Sequence, residues 1–108
     1  MNAPSTVLAL SALAHEARLA VFKLLVQAGP EGLAAGIIAA RLEMAPPALS
    51  FHLKELTHAG LLLQRPEGRK IHYSANFSSM NELIAYLTEN CCQGAACEVS
   101  TDAACATC

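Results

Sequence analysis

Apolar residues recur at three- and four-residue steps over the first quarter of the chain. Leu10, Leu13, Ala14, Ala17, Val21, Leu24, Leu25 and Ala28 mark one face of a helix over residues 5–28, with room for a break near His15. Gly29-Pro30 ends that run. The stretch from Leu33 to Leu42, rich in Ala and Ile, predicts a second, short helix. Glu43-Met44-Ala45 is its turn. Pro46 and Pro47 fit only in the first turn of a new helix, where a missing N–H costs little. That helix carries Leu49, Leu53 and Leu56 on one face and stops at Gly60.

The pattern then shortens. Leu61 to Arg65 and Lys70 to Ser74 predict two strands, and Pro66-Glu67-Gly68-Arg69 between them has turn chemistry, which makes a β-hairpin. A last helix is expected from Ser79, with Glu82 completing a capping box, and with Leu83, Ile84 and Leu87 at helical spacing. Beyond Glu89 the chain is small, polar and aperiodic. The expected organisation is a helical body with a hairpin over residues 1–90 and a separate tail over residues 91–108.

Composition sharpens this picture in three ways. The chain has 108 residues, enough for one domain with a modest core. No apolar run reaches the ~18 residues of a membrane span, and the first charges are Glu16 and Arg18, so the N-terminal stretch reads as helix rather than signal peptide. We therefore expect a cytoplasmic protein with no membrane partner, in which thiols stay reduced. Net charge is −2, but Arg41, Lys54, Arg65, Arg69 and Lys70 face only Glu43, Glu55 and Glu67 between residues 41 and 72, leaving that stretch +2. Local charge matters more for DNA contact than the total.

A short helix, a tight turn, a longer helix and a basic hairpin is the order of a winged helix-turn-helix: mainly α, with a β-hairpin wing. A helix fits the major groove, where base edges differ, and a basic hairpin reaches phosphates. Ser50, His52 and Lys54 lie early in the helix over residues 46–58, where a recognition helix meets bases. Arg65, Arg69 and Lys70 are the phosphate candidates of the wing. Each residue alone also fits a plainer role. Ser50 fits as a helix-start hydrogen-bonder, Lys54 as a solvated neighbour of His58, and the hairpin cations as an ordinary exposed tip.

The run Leu13-Ala14-His15-Glu16-Ala17-Arg18-Leu19-Ala20-Val21-Phe22-Lys23-Leu24-Leu25 resembles the opening helices of the ArsR/SmtB family of metalloregulatory repressors. Pro47-Ala48-Leu49-Ser50-Phe51-His52-Leu53-Lys54-Glu55-Leu56, followed by Ala59-Gly60-Leu61-Leu62, resembles that family's recognition helix. Arg65 to Tyr73 resembles its wing. The resemblance covers residues 8–90. It implies a non-enzymatic homodimer, joined through its first and last helices, that binds double-stranded operator DNA and lets go when a toxic inducer binds. It further implies DNA contacts from Ala48, Ser50, Phe51, His52 and Lys54, and from Arg65, Arg69 and Lys70 on the wing.

All five cysteines, Cys91, Cys92, Cys97, Cys105 and Cys108, lie in the tail. One arsenic-sensing type in the family uses a Cys-x-Cys pair before the recognition helix, where this chain has Ala34 and Gly36. The zinc-sensing type uses Asp, His and Glu along the last helix, where residues 76–90 offer only Glu82 and Glu89. Thr88-Glu89-Asn90-Cys91-Cys92-Gln93-Gly94, with Cys97 next, resembles arsenic repressors that bind inducer beyond the last helix. Thiolate sulfur selects soft ions, and trivalent arsenic or antimony takes three sulfurs. Adjacent Cα atoms sit ~3.8 Å apart, against the ~4.4–6.8 Å usual in disulfides. A vicinal pair thus suits one large ion better than a disulfide of its own. The expected inducer site is Cys91, Cys92 and Cys97, with no organic cofactor. Acidic neighbours Glu89, Glu98 and Asp102 do not favour low thiol pKa values, which speaks against a redox sensor. Four alternatives stay open: a methylated arsenical held by two sulfurs, a thiol-redox-responsive repressor, a thiol–disulfide enzyme using Cys105-x-x-Cys108, and a zinc-stabilised interaction module.

Overall fold

A computed structural model of the chain describes residues 1–94. Five helices and three strands follow in the order α1 (Ala3–Leu13), α2 (Glu16–Ala28), β1 (Leu33–Ala34), α3 (Ala35–Leu42), α4 (Pro46–His58), β2 (Leu62–Glu67), β3 (Lys70–Ala75) and α5 (Phe77–Leu87). A short 3-10 turn, Cys91–Gly94, follows.

The long N-terminal helix is two helices. Asn2 starts α1: its side chain accepts from the Ser5 N–H, while the Ser5 hydroxyl accepts from the Asn2 N–H. His15 is extended and caps α2, its Nδ1 accepting from the Ala17 N–H at 3.2 Å. The break near His15 is thus a helix start, and it turns α2 onto α4.

The expected helix over residues 33–42 loses its first two residues to β1. Leu33 pairs with Tyr73 and Ala34 with His72, so the hairpin becomes a three-stranded antiparallel sheet in the order β1-β3-β2. Gly32 is the reason. Its φ is +72°, and a Cβ there would overlap the Tyr73 carbonyl. Only glycine lets the chain come this close to β3.

Helix α3 ends at Glu43 in a left-handed conformation, and the Met44 N–H donates back to Ala39. Pro46 and Pro47 open α4 as the sequence predicts. Its end is a Schellman motif: Gly60 N–H bonds to Thr57 O, and Leu61 N–H to Leu56 O, with Leu56 and Leu61 both buried. Leu49, Leu53 and Leu56 of α4 join Val21 and Leu25 of α2 and Ile38 of α3 in one core.

The hairpin runs longer than expected. Pro66 and Glu67 belong to β2, and only Gly68 and Arg69 form the loop. Gly68 alone takes positive φ there, which suits a two-residue turn opening on glycine. Pro66 is tolerated because β2 is an edge strand.

Helix α5 also differs from expectation. It begins at Phe77, capped by Asn76, whose side chain accepts from the Ser79 N–H at 3.2 Å. Ser79 is therefore inside the helix, and Glu82 instead lies 3.5 Å from the Met1 amino group. No helix among the described residues is long and apolar enough to cross a membrane.

Candidate nucleic-acid interface and the cysteine segment

On α4, burying Leu49, Leu53 and Leu56 turns Ala48, Ser50, Phe51 and Lys54 outward. Phe51 is 53% exposed, an unusual position for a phenyl ring unless something covers it. Lys54 has no ion-pair or hydrogen-bond partner among the described residues. His52 is placed differently. It is half-buried and turned toward the start of α2, where Arg18 Nε donates to its Nδ1 at 3.3 Å. The His15 and His52 rings stand 5.0 Å apart, and the Arg18 guanidinium lies 5.6 Å from the centre of the Phe51 ring. Burial, then His15, then Arg18 holds the His52 imidazole below its ordinary value of 6.5.

Arg18 is the residue that sequence reasoning missed. One signal pointed to it. A cation in the first turn of a helix opposes the helix dipole, so a job elsewhere was worth seeking.

The wing cations divide into two kinds. Arg65 is tied down: its Nη2 lies 3.3 Å from both the Glu31 carbonyl and Glu67 Oε2. The same carboxylate is 3.4 Å from His72 Nδ1, within ion-pair reach but not aligned as a hydrogen bond. Arg69 and Lys70 at the hairpin end carry no such partner among the described residues, and they line an open groove of about 390 Å³ together with Ala34, Gly36, Ile37 and Ile71. Ala34 and Gly36 put no donor atom beyond the backbone into that groove.

The structure brings Ala48, Ser50, Phe51 and Lys54 onto one face of α4, and it sets Arg69 and Lys70 at the tip of the wing. At the other end of the chain, Cys91 is a free, partly buried thiol one short turn past α5. Cys92, next to it, is exposed. Cys92 and Gln93 both have positive φ, so the backbone coils sharply there. Cys97, Cys105 and Cys108 lie outside the described residues. Among the described residues no group of three or more His, Cys, Asp or Glu side chains is gathered to hold a metal.

Comparison with known proteins agrees with this geometry. Residues 13–65 match a family described as a helix-turn-helix domain. The transcriptional activator HlyU of Vibrio cholerae is 32% identical over 92 residues, 85% of this chain and 82% of that protein. Among solved structures, an ArsR-like transcriptional regulator from Rhodococcus sp. RHA1 superposes with a TM-score of 0.70 at 28% identity, covering 81% of this chain and 78% of that one. NolR from Sinorhizobium fredii gives 0.64 at 31% identity, covering 86% and 88%. These relatives are regulators and not enzymes. With a turn-linked α3 and α4, an exposed face on α4 and a basic wing beside it, the chain belongs to the ArsR family of winged-helix transcriptional regulators.

Proposed function

We propose that the protein is a cytoplasmic repressor that binds two-fold operator DNA as a homodimer and releases it when arsenite or antimonite binds the C-terminal thiols. The observation that carries this reading is the confinement of all five cysteines to residues 91–108, starting three residues after Thr88 closes α5. A soft-ligand cluster attached to a helix that helps form a dimer is placed to alter the spacing of two recognition helices. Half-sites one helical turn apart, ~34–36 Å, tolerate little such change.

Homodimerisation is supported by the outer face of α1. Its inward residues are small, Thr6, Ala9 and Ala12, while Val7, Leu8 and Leu10 point out. Leu87 of α5 is likewise exposed. Large apolar side chains outside and small ones inside suit helices that bury their larger face against a second copy. In the DNA complex, Ser50, Phe51, His52 and Lys54 meet base edges, with Ala48 packing against them. Arg69 and Lys70 meet phosphates, joined by Arg65 once it leaves Glu67. Cys91, Cys92 and Cys97 are the metalloid ligands of the reduced protein.

The test uses reduced protein and a duplex chosen by affinity selection from a random-sequence library. Arsenite, antimonite, methylarsenite and zinc are each titrated against the complex. Arsenite is expected to lower affinity about 5–150-fold, the range of ordinary coupling energies. A protein carrying Cys91→Ser and Cys92→Ser should bind the duplex normally and ignore arsenite. Unchanged affinity with every metalloid ends the reading. Loss of response in Cys97→Ser toward arsenite but not methylarsenite distinguishes a three-sulfur from a two-sulfur site.

The clustering of five cysteines in one segment also suits a second reading, release on thiol oxidation. One of the similar solved structures is described as reduced HlyU. Comparing duplex affinity of the oxidised and reduced proteins, without metalloid, separates the two.

A further inference from the structure

The junction between α2 and α4 holds a small polar cluster that neither helix explains alone. Arg18 Nε lies 3.3 Å from His52 Nδ1. A guanidinium is protonated at every accessible pH and has no lone pair to offer, so its Nε–H donates and Nδ1 must accept. A neutral imidazole that accepts at Nδ1 carries its proton on Nε2. The Phe51 ring, its centre 5.6 Å from the guanidinium carbon, gives Arg18 a second contact.

Two further observations bear on the ring. His15 uses its own Nδ1 to accept from the Ala17 N–H and stands 5.0 Å from His52. Burial, then the neighbouring His15, then Arg18 disfavours a second proton on His52, in keeping with its lowered pKa. Its Nε2, in contrast, makes no hydrogen bond among the described residues and is not a buried unpartnered atom. It is open to the surface beside the exposed Phe51.

We propose that Arg18 is a positioning residue that locks His52 in its Nε2–H form, making His52 a dedicated hydrogen-bond donor to DNA. This rests on the reading of α4 as the groove-binding helix. A donor-only histidine serves acceptors: purine N7, guanine O6 or thymine O4 on a base edge, or a phosphate oxygen. It cannot accept from the amino groups of cytosine or adenine. The chain therefore fixes at residue 18 what residue 52 is able to read, across 34 positions of sequence.

Nitrogen-15 NMR of the DNA-free protein tests the lock. The His52 proton is expected on Nε2 alone in the wild type and shared between both nitrogens in Arg18→Met. Arg18→Lys keeps a donor and should largely preserve the wild-type form, and it serves as the check if Arg18→Met folds poorly. A wild-type proton on Nδ1, or an unchanged tautomer in Arg18→Met, overturns the proposal. The DNA half is tested by affinity selection from a random-sequence duplex library with wild type, His52→Ala and Arg18→Met. Loss of about tenfold preference at one shared base pair in both variants supports a base-edge acceptor. Even weakening across all sequences in both supports a phosphate oxygen. Full retention of affinity and preference in either variant overturns the donor role. If the wild type selects no sequence, the groove-helix reading fails, and the tautomer measurement still decides the Arg18–His52 lock.

Discussion

The Asn76 side-chain amide donates to the Gly60 carbonyl at 3.0 Å while its oxygen caps α5 through Ser79 N–H. Its backbone N–H bonds to Leu61 O at 2.8 Å. One residue thus joins the end of α4 to the start of α5, the two helices that DNA binding and inducer sensing would engage. Asn76→Asp keeps the cap but removes the donor to Gly60, and should cost about 1 kcal/mol. Asn76→Ala loses both and should cost about 2 kcal/mol. Urea unfolding of the two variants checks the order. Equal stability of the two variants would mean that the cap contributes nothing, and Asn76→Asp as stable as the wild type that the Gly60 bond contributes nothing.

Gly32 and Gly36 make opposite demands although they lie four residues apart. Ala at Gly32 meets the Tyr73 carbonyl and a φ of +72°, so Gly32→Ala should lose about 2 kcal/mol or more and release β1 from β3. Gly36 is inside α3 with nothing near a new Cβ, so Gly36→Ala should gain about 0.5–1 kcal/mol. Thermal melts, with amide exchange at Leu33 and Tyr73, measure both.

These two glycines also mark what was legible in the sequence. Local signals carried most of the fold. Pro46-Pro47, the leucine spacing of α4 and Gly60 fixed the recognition helix, and Gly68 the hairpin loop. What stayed hidden was non-local. A two-residue strand has no period of its own, and β1 exists because Gly32 lets it approach β3, some forty residues on. The start of α5 was misplaced because two capping patterns overlapped, and Asn76 won by also serving Gly60. On the α4 face, exposure of Ser50, Phe51 and Lys54 followed from the buried leucines. The Arg18–His52 pair did not, since nothing within either helix implies it.

Glu67 restrains the wing. Its carboxylate sits 3.3 Å from Arg65 and 3.4 Å from His72, at a side chain that is largely exposed. Exposed pairs of this kind contribute little stability, so Glu67→Gln should leave the unfolding midpoint nearly unchanged. An Arg65 no longer ion-paired, and one less negative charge, should instead raise duplex affinity severalfold. The salt slope of binding should steepen by about one counterion. Fluorescence anisotropy at three salt concentrations reads both quantities.

The pH dependence of folding follows from the direction of the His52 shift. Its pKa is lowered in the folded chain relative to 6.5, so the unfolded state binds more protons once pH falls below that value. The contribution of His52 is therefore complete above 6.5 and is lost as pH falls through its lowered folded pKa. Wild type should lose more stability than His52→Gln between pH 7.5 and 5. Parallel loss in both proteins would place the acid sensitivity elsewhere.

Val7 and Leu87 are 60% and 59% exposed, Val7 on the outer face of α1 with Leu8 and Leu10, and Leu87 at the end of α5. Substituting a surface residue that touches nothing usually changes stability by under about 0.5 kcal/mol. Val7→Glu with Leu87→Glu should therefore fold as a monomer rather than unfold, because the buried face of α1 is made by Thr6, Ala9 and Ala12 instead. A two-fold interface carries each substitution twice, so the effect on association is doubled. Sedimentation velocity should find a dimer for the wild type and a monomer for the double variant at the same concentration. On a duplex with two half-sites, losing the tie between recognition helices should lower affinity by about 100-fold or more. On a single half-site the two proteins should bind alike, which separates loss of dimerisation from damage to α4. A dimeric double variant would exclude these two positions from the interface.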